Sequence, residues 1–382
     1  MARVPFQPFQ LEEWQSLYEM NTEFNLADSG VQPVLLSEML QTPDAVSAFL
    51  NSDLHYPAVN GTELLRQRIA ALYGPEVTAD QVLVTVGAAE ANGLAVTTIT
   101  EPGDHVVVLE PGYRQVAGVA ANNGCEVDAF HLIEAEGWRP DLDELERVVR
   151  PDTKLIAVNN PNNPTGAILT ELEMEAIIAI ASRVGAWILA DEVYHGSETS
   201  GIDTPSFHGR YDRLLITNSL SKAYGLSGVR VGWIVADAET AQDLWRRHEY
   251  ATISTSNLSM KIAELAVEPV RREELFTRNR RLVRDGFARL ADWAGSTDGI
   301  VTVIEPKATA LAFPRLDLNL SSLDLAHEFR HDGVLVGVGA HFGVEQHVRI
   351  THALEASYMD DAFARMSGTI ERLAGAVGRA ER

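Results

Sequence analysis

The sequence predicts an α/β fold, a mostly parallel central sheet flanked by helices, followed by a smaller α+β unit. Three observations carry this expectation. Short β-branched runs alternate with helical patterns from about residue 46 to 240, which implies parallel strands covered on both faces. At 382 residues the chain exceeds what one core usually supports. Beyond residue 300, strands mix with two further helical patterns.

In order, residues 1–45 hold an amphipathic opening around Trp14, Leu17 and Tyr18, then Asn25-Leu-Ala-Asp-Ser-Gly-Val-Gln-Pro33. This stretch is too short for its own core and is expected to be an arm packing with the small domain. Buried strands are expected at 82–86, 105–109, 155–158, 187–190, 214–217 and 229–236, with the clearest helix at 171–183. Residues 240–292 read as charged helices, with solvated faces at Arg246-Arg247 and along 278–284. Strands at 300–304, 310–313, 334–338 and 348–350, with helices at 323–330 and 359–374, complete the chain. The division expected is an arm (1–45), a large cofactor-binding domain (46–270) and a small domain (271–382).

Hydrophobic content of 46% and charged content of 22% are those of an ordinary globular protein. The balance of 31 basic against 54 acidic residues gives −23, which argues against a nucleic-acid surface and an anionic membrane surface. A single cysteine, Cys125, excludes a disulfide framework and any cysteine-based zinc site, and no metal is expected. No apolar run is long enough to span a bilayer, and the first residues carry one cation without an apolar h-region. A cytoplasmic enzyme is expected.

The chemistry centres on Asn218-Ser-Leu-Ser-Lys-Ala-Tyr-Gly-Leu-Ser-Gly-Val-Arg-Val-Gly-Trp233. Lys222 can form an imine with a carbonyl, and Ser219 and Arg230 can hold a dianionic phosphate beside it. Pyridoxal phosphate chemistry needs such a lysine, a carboxylate on the ring nitrogen, a partner for the ring hydroxyl, a phosphate cup and a cation for the substrate carboxylate. Asp191, at the end of an expected strand, suits the ring nitrogen, although a strand-end aspartate also caps turns. Tyr194 could reach the ring hydroxyl from the same strand end. Asn159-Asn-Pro-Asn-Asn-Pro-Thr-Gly166 makes a rigid, non-helical turn that presents Asn163 to the ring hydroxyl or the substrate carboxylate. In Val86-Gly-Ala-Ala-Glu-Ala91 the small residues let the backbone N–H groups of Ala88 and Ala89 approach a phosphate. Tyr113 could stack on the ring or be a packed aromatic, and Tyr56 has the same two readings. Arg349, inside an apolar strand, suits a bidentate carboxylate, either of a substrate or of a protein side chain.

Together these residues resemble the class I/II aminotransferases of fold type I, with matching spacing from Tyr56 to Arg349. The strings Ser219-Leu-Ser-Lys222…Gly228-Val-Arg230-Val-Gly232 and Asn162-Asn-Pro-Thr-Gly166 are the most specific. The resemblance implies that Lys222 is the Schiff-base lysine and Asp191 its pyridine partner. It further implies that Asn163 and Tyr194 hold the ring hydroxyl and that Arg349 takes the substrate carboxylate. Ser219, Ser221, Arg230, Ala88 and Ala89 would bind phosphate, joined by Tyr56 from a second subunit, so a homodimer with shared sites is implied. Val338-Gly-Ala-His-Phe-Gly343 departs from the pattern, because relatives usually carry Pro at the first position.

The arm is also informative. Trp14…Asn21-Thr-Glu-Phe-Asn-Leu-Ala-Asp28 resembles the opening of pyridoxal phosphate-dependent arginine oxidases of antibiotic pathways, but those continue with Gly-His where this chain has Ser29-Gly30. Ser29-Gly-Val31, with 222–230, is similar instead to capreomycidine synthase. An enduracididine-type aminotransferase belongs to the same guanidino chemistry. The resemblance therefore implies transfer of an amino group between an amino acid, of guanidino type, and a 2-oxo acid, with Arg349, Asn163 and Gly30 at the substrate. An arginine oxidase or a capreomycidine synthase-like cyclase or lyase is the alternative. Ligand-sensing domains of transcription regulators share the fold but carry a DNA-binding domain ahead of it, for which the first 45 residues are too few and insufficiently basic.

Overall fold

The structure, a computed structural model, describes residues 5–380. The arm forms α1 (Gln10–Tyr18) and the short strand β1 (Phe24–Asn25). Three helices follow: α2 (Leu36–Met39), α3 (Pro43–Leu50) and α4 (Glu63–Ala70). Thr42 and Thr62 cap the last two by accepting from Ala45 N and Leu65 N, and Pro43 stands where a helix can spare a donor.

The central layer then alternates β2 (Val82–Thr85), α5 (Gly87–Ile99), β3 (His105–Glu110), α6 (Gln115–Asn122), β4 (Glu126–Ile133), β5 (Arg139–Pro140), α7 (Leu142–Val148), β6 (Thr153–Asn159), α8 (Glu171–Val184) and β7 (Trp187–Asp191). It closes with β8 (Leu214–Ser219) and β9 (Gly232–Val235). These eight strands pair in the order β2-β9-β8-β7-β6-β3-β4-β5. The neighbours from β4 to β8 run parallel, and β9 runs antiparallel to both of its neighbours. Alternate residues face opposite layers. Val107, Ile156, Ile188 and Ile216 pack into one core, while Val106, Leu155, Leu189 and Leu215 pack into another. Helix α8 shows why these segments stop where they do. Thr170 and Glu173 cap each other's backbone at its start, and Gly185, at φ 70°, closes its end in a conformation that favours glycine.

The strand expected at 229–236 starts only at Gly232. Ser227–Val229 form a single 3-10 turn, and Arg230 adopts φ 55°. That left-handed residue turns the guanidinium back toward α5 rather than along the sheet.

Past β9 come α9 (Ala238–Ala251), α10 (Asn257–Ala266) and α11 (Pro269–Gly295), then the short strands β10 (Val301–Thr302), β11 (Leu311–Ala312) and β12 (Arg315–Leu316). The chain ends with α12 (Ser322–His331), β13 (Val334–Leu335), β14 (Gly337–Val338), β15 (Val348–Thr351) and α13 (Ala356–Ala380). The run expected as one strand at 334–338 is divided between two partners. β13 pairs in parallel with β1 of the arm, whereas β14 pairs antiparallel with β15. Trp14, Phe24 and Leu26 of the arm join Leu290, Trp293, Phe329, Ile350 and Met366 in one core, and Trp14 Nε1 donates to Val336 O at 2.9 Å. Among the described residues, no helix is long and apolar enough to cross a membrane.

Candidate active site

Three parallel strands end side by side, β6 at Asn159, β7 at Asp191 and β8 at Ser219. Ligands of such sheets sit beyond the carboxyl ends of the strands. A cavity of about 130 Å³ opens there, and its walls include Asp191, Tyr194, Asn163, Ser219, Ser221, Lys222 and Arg230 together with Ala88, Ala89 and Tyr113. A larger cleft of about 840 Å³ runs beneath residues 6–11, but there Glu110 and Arg114 already satisfy each other as an ion pair. The smaller cavity holds the convergent polar groups.

Asp191 is buried at the end of β7. Its Oδ2 accepts from Asn92 Nδ2 at 2.9 Å and its Oδ1 from Val193 N at 3.2 Å. It thus caps its turn and also faces the cavity. Burial pushes its pKa up to about 6, against the opposing effects of Asn92, the Val193 N–H and the Lys222 charge.

Lys222 donates from Nζ to Ser29 Oγ at 2.5 Å. Burial lowers its pKa, aided by the charges of Arg349 and Arg230 and opposed by those of Asp28 and Glu12. An amine displaced in this way has a larger neutral, nucleophilic fraction at working pH.

The anion cup is built from the first turn of α5 and the loop after β8. Arg230 Nη1 donates to Ser221 Oγ at 3.3 Å, and Ser219 Oγ accepts from Ser221 N at 3.2 Å. Close backbone approach shapes the cup. A Cβ on Gly87 would lie 2.6 Å from Arg230 Nη2, and one on Gly232 would lie 2.6 Å from Ala88 N. Two hydroxyls, a guanidinium and a helix N-terminus form a suitable donor set for a phosphate dianion.

The turn after β6 is held by its own side chains. Asn159 Nδ2 donates to Asp191 O at 2.9 Å, and Asn159 Oδ1 accepts from Asn163 N at 2.7 Å. Asn163 Oδ1 in turn accepts from Arg349 Nη1 at 3.1 Å. Arg349 is 1% exposed, its Nη2 donates to Ala27 O, and its Nε has no partner among the described residues. No carboxylate pairs with it among the described residues, so of the two readings of Arg349 the protein salt bridge is not the one formed. A buried guanidinium with a spare donor suits a carboxylate brought from outside.

Tyr194 OH donates to Ser29 O at 3.3 Å, and burial raises its pKa. Tyr113 OH donates to the Glu12 carboxylate at 2.7 Å while Phe9 packs edge-on at 5.1 Å, and burial and Glu12 both raise its pKa. Gly30 follows the wall residue Ser29 without lining the cavity itself, and its carbonyl accepts from Thr351 Oγ1 at 2.8 Å. Tyr56 is not brought to the cavity within one chain and is 78% exposed.

Sequence reasoning missed Glu12, Ser29, Asn92 and Gln115, all of which line the cavity. Glu12 and Ser29 arrive only because the arm folds back over the site. Asn92 did leave a signal, as a polar residue in the otherwise apolar helical stretch Ala91-Asn-Gly-Leu-Ala-Val96.

The family model for aminotransferases of class I and II matches residues 28–366. A capreomycidine synthase of Streptomyces vinaceus is 30% identical over 363 residues, covering 94% of this chain and 92% of that protein. An arginine–pyruvate transaminase of Pseudomonas aeruginosa is 35% identical over 200 residues, or 51% of each chain. Among solved structures, a pyridoxal phosphate-dependent aminotransferase from Streptococcus suis superposes with a TM-score of 0.90 at 31% identity, covering 97% of this chain and 99% of that one.

Proposed function

The chain belongs to the class I and II aminotransferases, a pyridoxal 5'-phosphate-dependent family of fold type I, and from that membership we propose that it transfers an amino group from a guanidino amino acid to a 2-oxo acid, in antibiotic biosynthesis. When bound, the cofactor supplies a carbonyl that captures amines and a ring that withdraws electrons. The protein supplies the rest. Ser219, Ser221, Arg230 and the first N–H groups of α5, at Ala88 and Ala89, hold the phosphate. Asp191 keeps a negative charge at the ring nitrogen, and Tyr194 and Asn163 serve the ring hydroxyl. Arg349, steadied by Asn163, clamps the substrate carboxylate beside Gly30. Lys222, with its lowered pKa, is both the attachment point and the base that moves the α-proton.

One observation carries transamination over oxidation: the group beside Lys222 Nζ is the hydroxyl of Ser29. A hydroxyl does not titrate near neutral pH, so the partner bonded to Lys222 is not a second base and Lys222 returns the proton it takes. The guanidino preference is supported by Glu12, whose carboxylate meets Tyr113 at the cavity wall, and by Asp28, whose charge acts on both Lys222 and Arg349. A homodimer is part of the same reading. Leu35, Leu36, Leu50, Leu54 and Tyr56 leave an apolar stretch exposed on one chain, and a second copy would cover it and bring Tyr56 to the neighbour's phosphate. The arm (1–45), large domain (46–270) and small domain (271–382) are the units of this reading.

The test is a half-reaction in the holoenzyme, followed by absorption and an oxygen electrode. Arginine or a cyclic guanidino amino acid is expected to produce the pyridoxamine phosphate spectrum, a 2-oxo acid is expected to restore the original one, and no oxygen should be consumed. Stoichiometric oxygen uptake would show an oxidase. The relationship to capreomycidine synthase favours cyclisation as the second reading. A ring-closed product from hydroxyarginine, with its amino group retained, would establish it.

A further inference from the structure

Asn92 lies in the second turn of α5 with 2% of its surface exposed, and each of its side-chain polar atoms is engaged. Nδ2 donates to Asp191 Oδ2 at 2.9 Å and to Gln115 Oε1 at 3.3 Å, while Oδ1 accepts from Thr217 Oγ1 at 2.7 Å. Gln115 is itself tied down by a bond from its Nε2 to Ala89 O at 2.7 Å. These partners determine which way the amide points. Turned over, it would set its oxygen against the Asp191 carboxylate, acceptor against acceptor. Thr217 stands directly across from Asp191 in the pairing of β7 with β8, so the strand register brings both contacts to one asparagine. A buried amide in an apolar helix is costly unless fully bonded, and here the bonding converges on the acid of the site.

We infer that Asn92 is a positioning residue: aligned by Thr217, its amide donates to Asp191 Oδ2 so that the carboxylate stays ionised and the proton of the acid–pyridine pair rests on the cofactor's ring nitrogen. This rests on the reading that Asp191 faces that nitrogen. A carboxylate that accepts hydrogen bonds keeps its charge, and removing a donor moves the proton toward it. Burial has already brought Asp191 close to the neutral range, with Asn92 the largest influence opposing it. Loss of one charge-assisted bond changes such a balance roughly 10- to 100-fold, enough to move the proton from the ring to the acid.

The experiment uses holoenzyme reconstituted with cofactor isotopically labelled at the ring nitrogen and reads the nitrogen's NMR shift beside kcat and KM. Wild type is expected to show the protonated nitrogen. Asn92→Leu should move the resonance toward neutral pyridine and lower kcat roughly 10- to 100-fold, with KM changed less than about threefold. Thr217→Val, which only frees the amide to turn, should move it part of the way. Asn92→Ala removes the donor without adding bulk if the leucine fails to fold, and should displace the resonance in the same direction. A fully protonated nitrogen in the position-92 variants that fold would overturn the inference, whatever their rate. Asp191→Asn is run alongside. If it too keeps the nitrogen protonated, the assignment of Asp191 itself has failed; if only the Asn92 variants keep it, the failure is confined to Asn92.

Discussion

Asp191→Asn separates what the acid costs the fold from what it contributes to the reaction. In the apoprotein burial pushes the carboxyl pKa up to about 6, whereas an unfolded chain titrates near about 3.9. Because the folded value is the higher one, the group's favourable contribution is complete below about pH 4 and is lost as the pH rises through about 6. Each pH unit of displacement is worth about 1.4 kcal/mol, so ionising this buried acid costs the apoprotein about 3 kcal/mol at pH 8. Asparagine carries no charge and escapes that cost. Denaturant unfolding of wild-type and Asp191→Asn apoprotein, near pH 4 and again near pH 8, isolates the effect, since other groups cancel in the difference. The variant is expected to gain about 3 kcal/mol relative to wild type between those conditions. The holoenzyme should show the reverse in function, a fall in kcat of about 10²-fold or more, because a neutral amide cannot sustain a charged ring nitrogen. Parallel stability differences at the two pH values, or a rate within about threefold of wild type, would refute the reasoning.

Gly232→Ala places a Cβ 2.6 Å from Ala88 N. The displaced helix start should weaken cofactor binding by about tenfold or more in a titration of apoprotein, and an unchanged affinity would remove α5 from the phosphate site. Arg349→Lys loses the planar fork, so KM for the amino acid should rise about 10- to 100-fold while cofactor affinity stays at wild type. Glu12→Gln should raise KM about tenfold for a guanidino substrate and leave alanine unaffected; equal effects on both would place Glu12 outside side-chain recognition. Heterodimers of Tyr56→Phe with Lys222→Ala should form one site with neither substitution and recover activity above either parent, measured as specific activity of the purified mixed dimer.

Much of the site could be read in advance because the chain places each part next to a strand end. Asp191 follows an apolar run, Asn163 belongs to the second of two Asn-Pro pairs, and Lys222 and Arg230 share one short string. Local backbone chemistry of this kind is encoded over a few residues. The split of 334–338 between two sheets was not legible, because pairing partners of a short strand lie far away in sequence.

The alternation of strand and helix, the order of the motifs and the residue types at each strand end were determined by sequence alone, since periodicity and turn chemistry act locally. Only the tertiary structure decided that Arg349 finds no carboxylate among the described residues, that the arm carries Glu12 and Ser29 to Tyr113 and Lys222, and that Asn92 spans from Thr217 to Asp191. Each of those contacts joins residues between about 100 and 190 positions apart. Their energies depend on burial and on partners that exist only once the sheet has assembled, and a linear pattern does not hold that information.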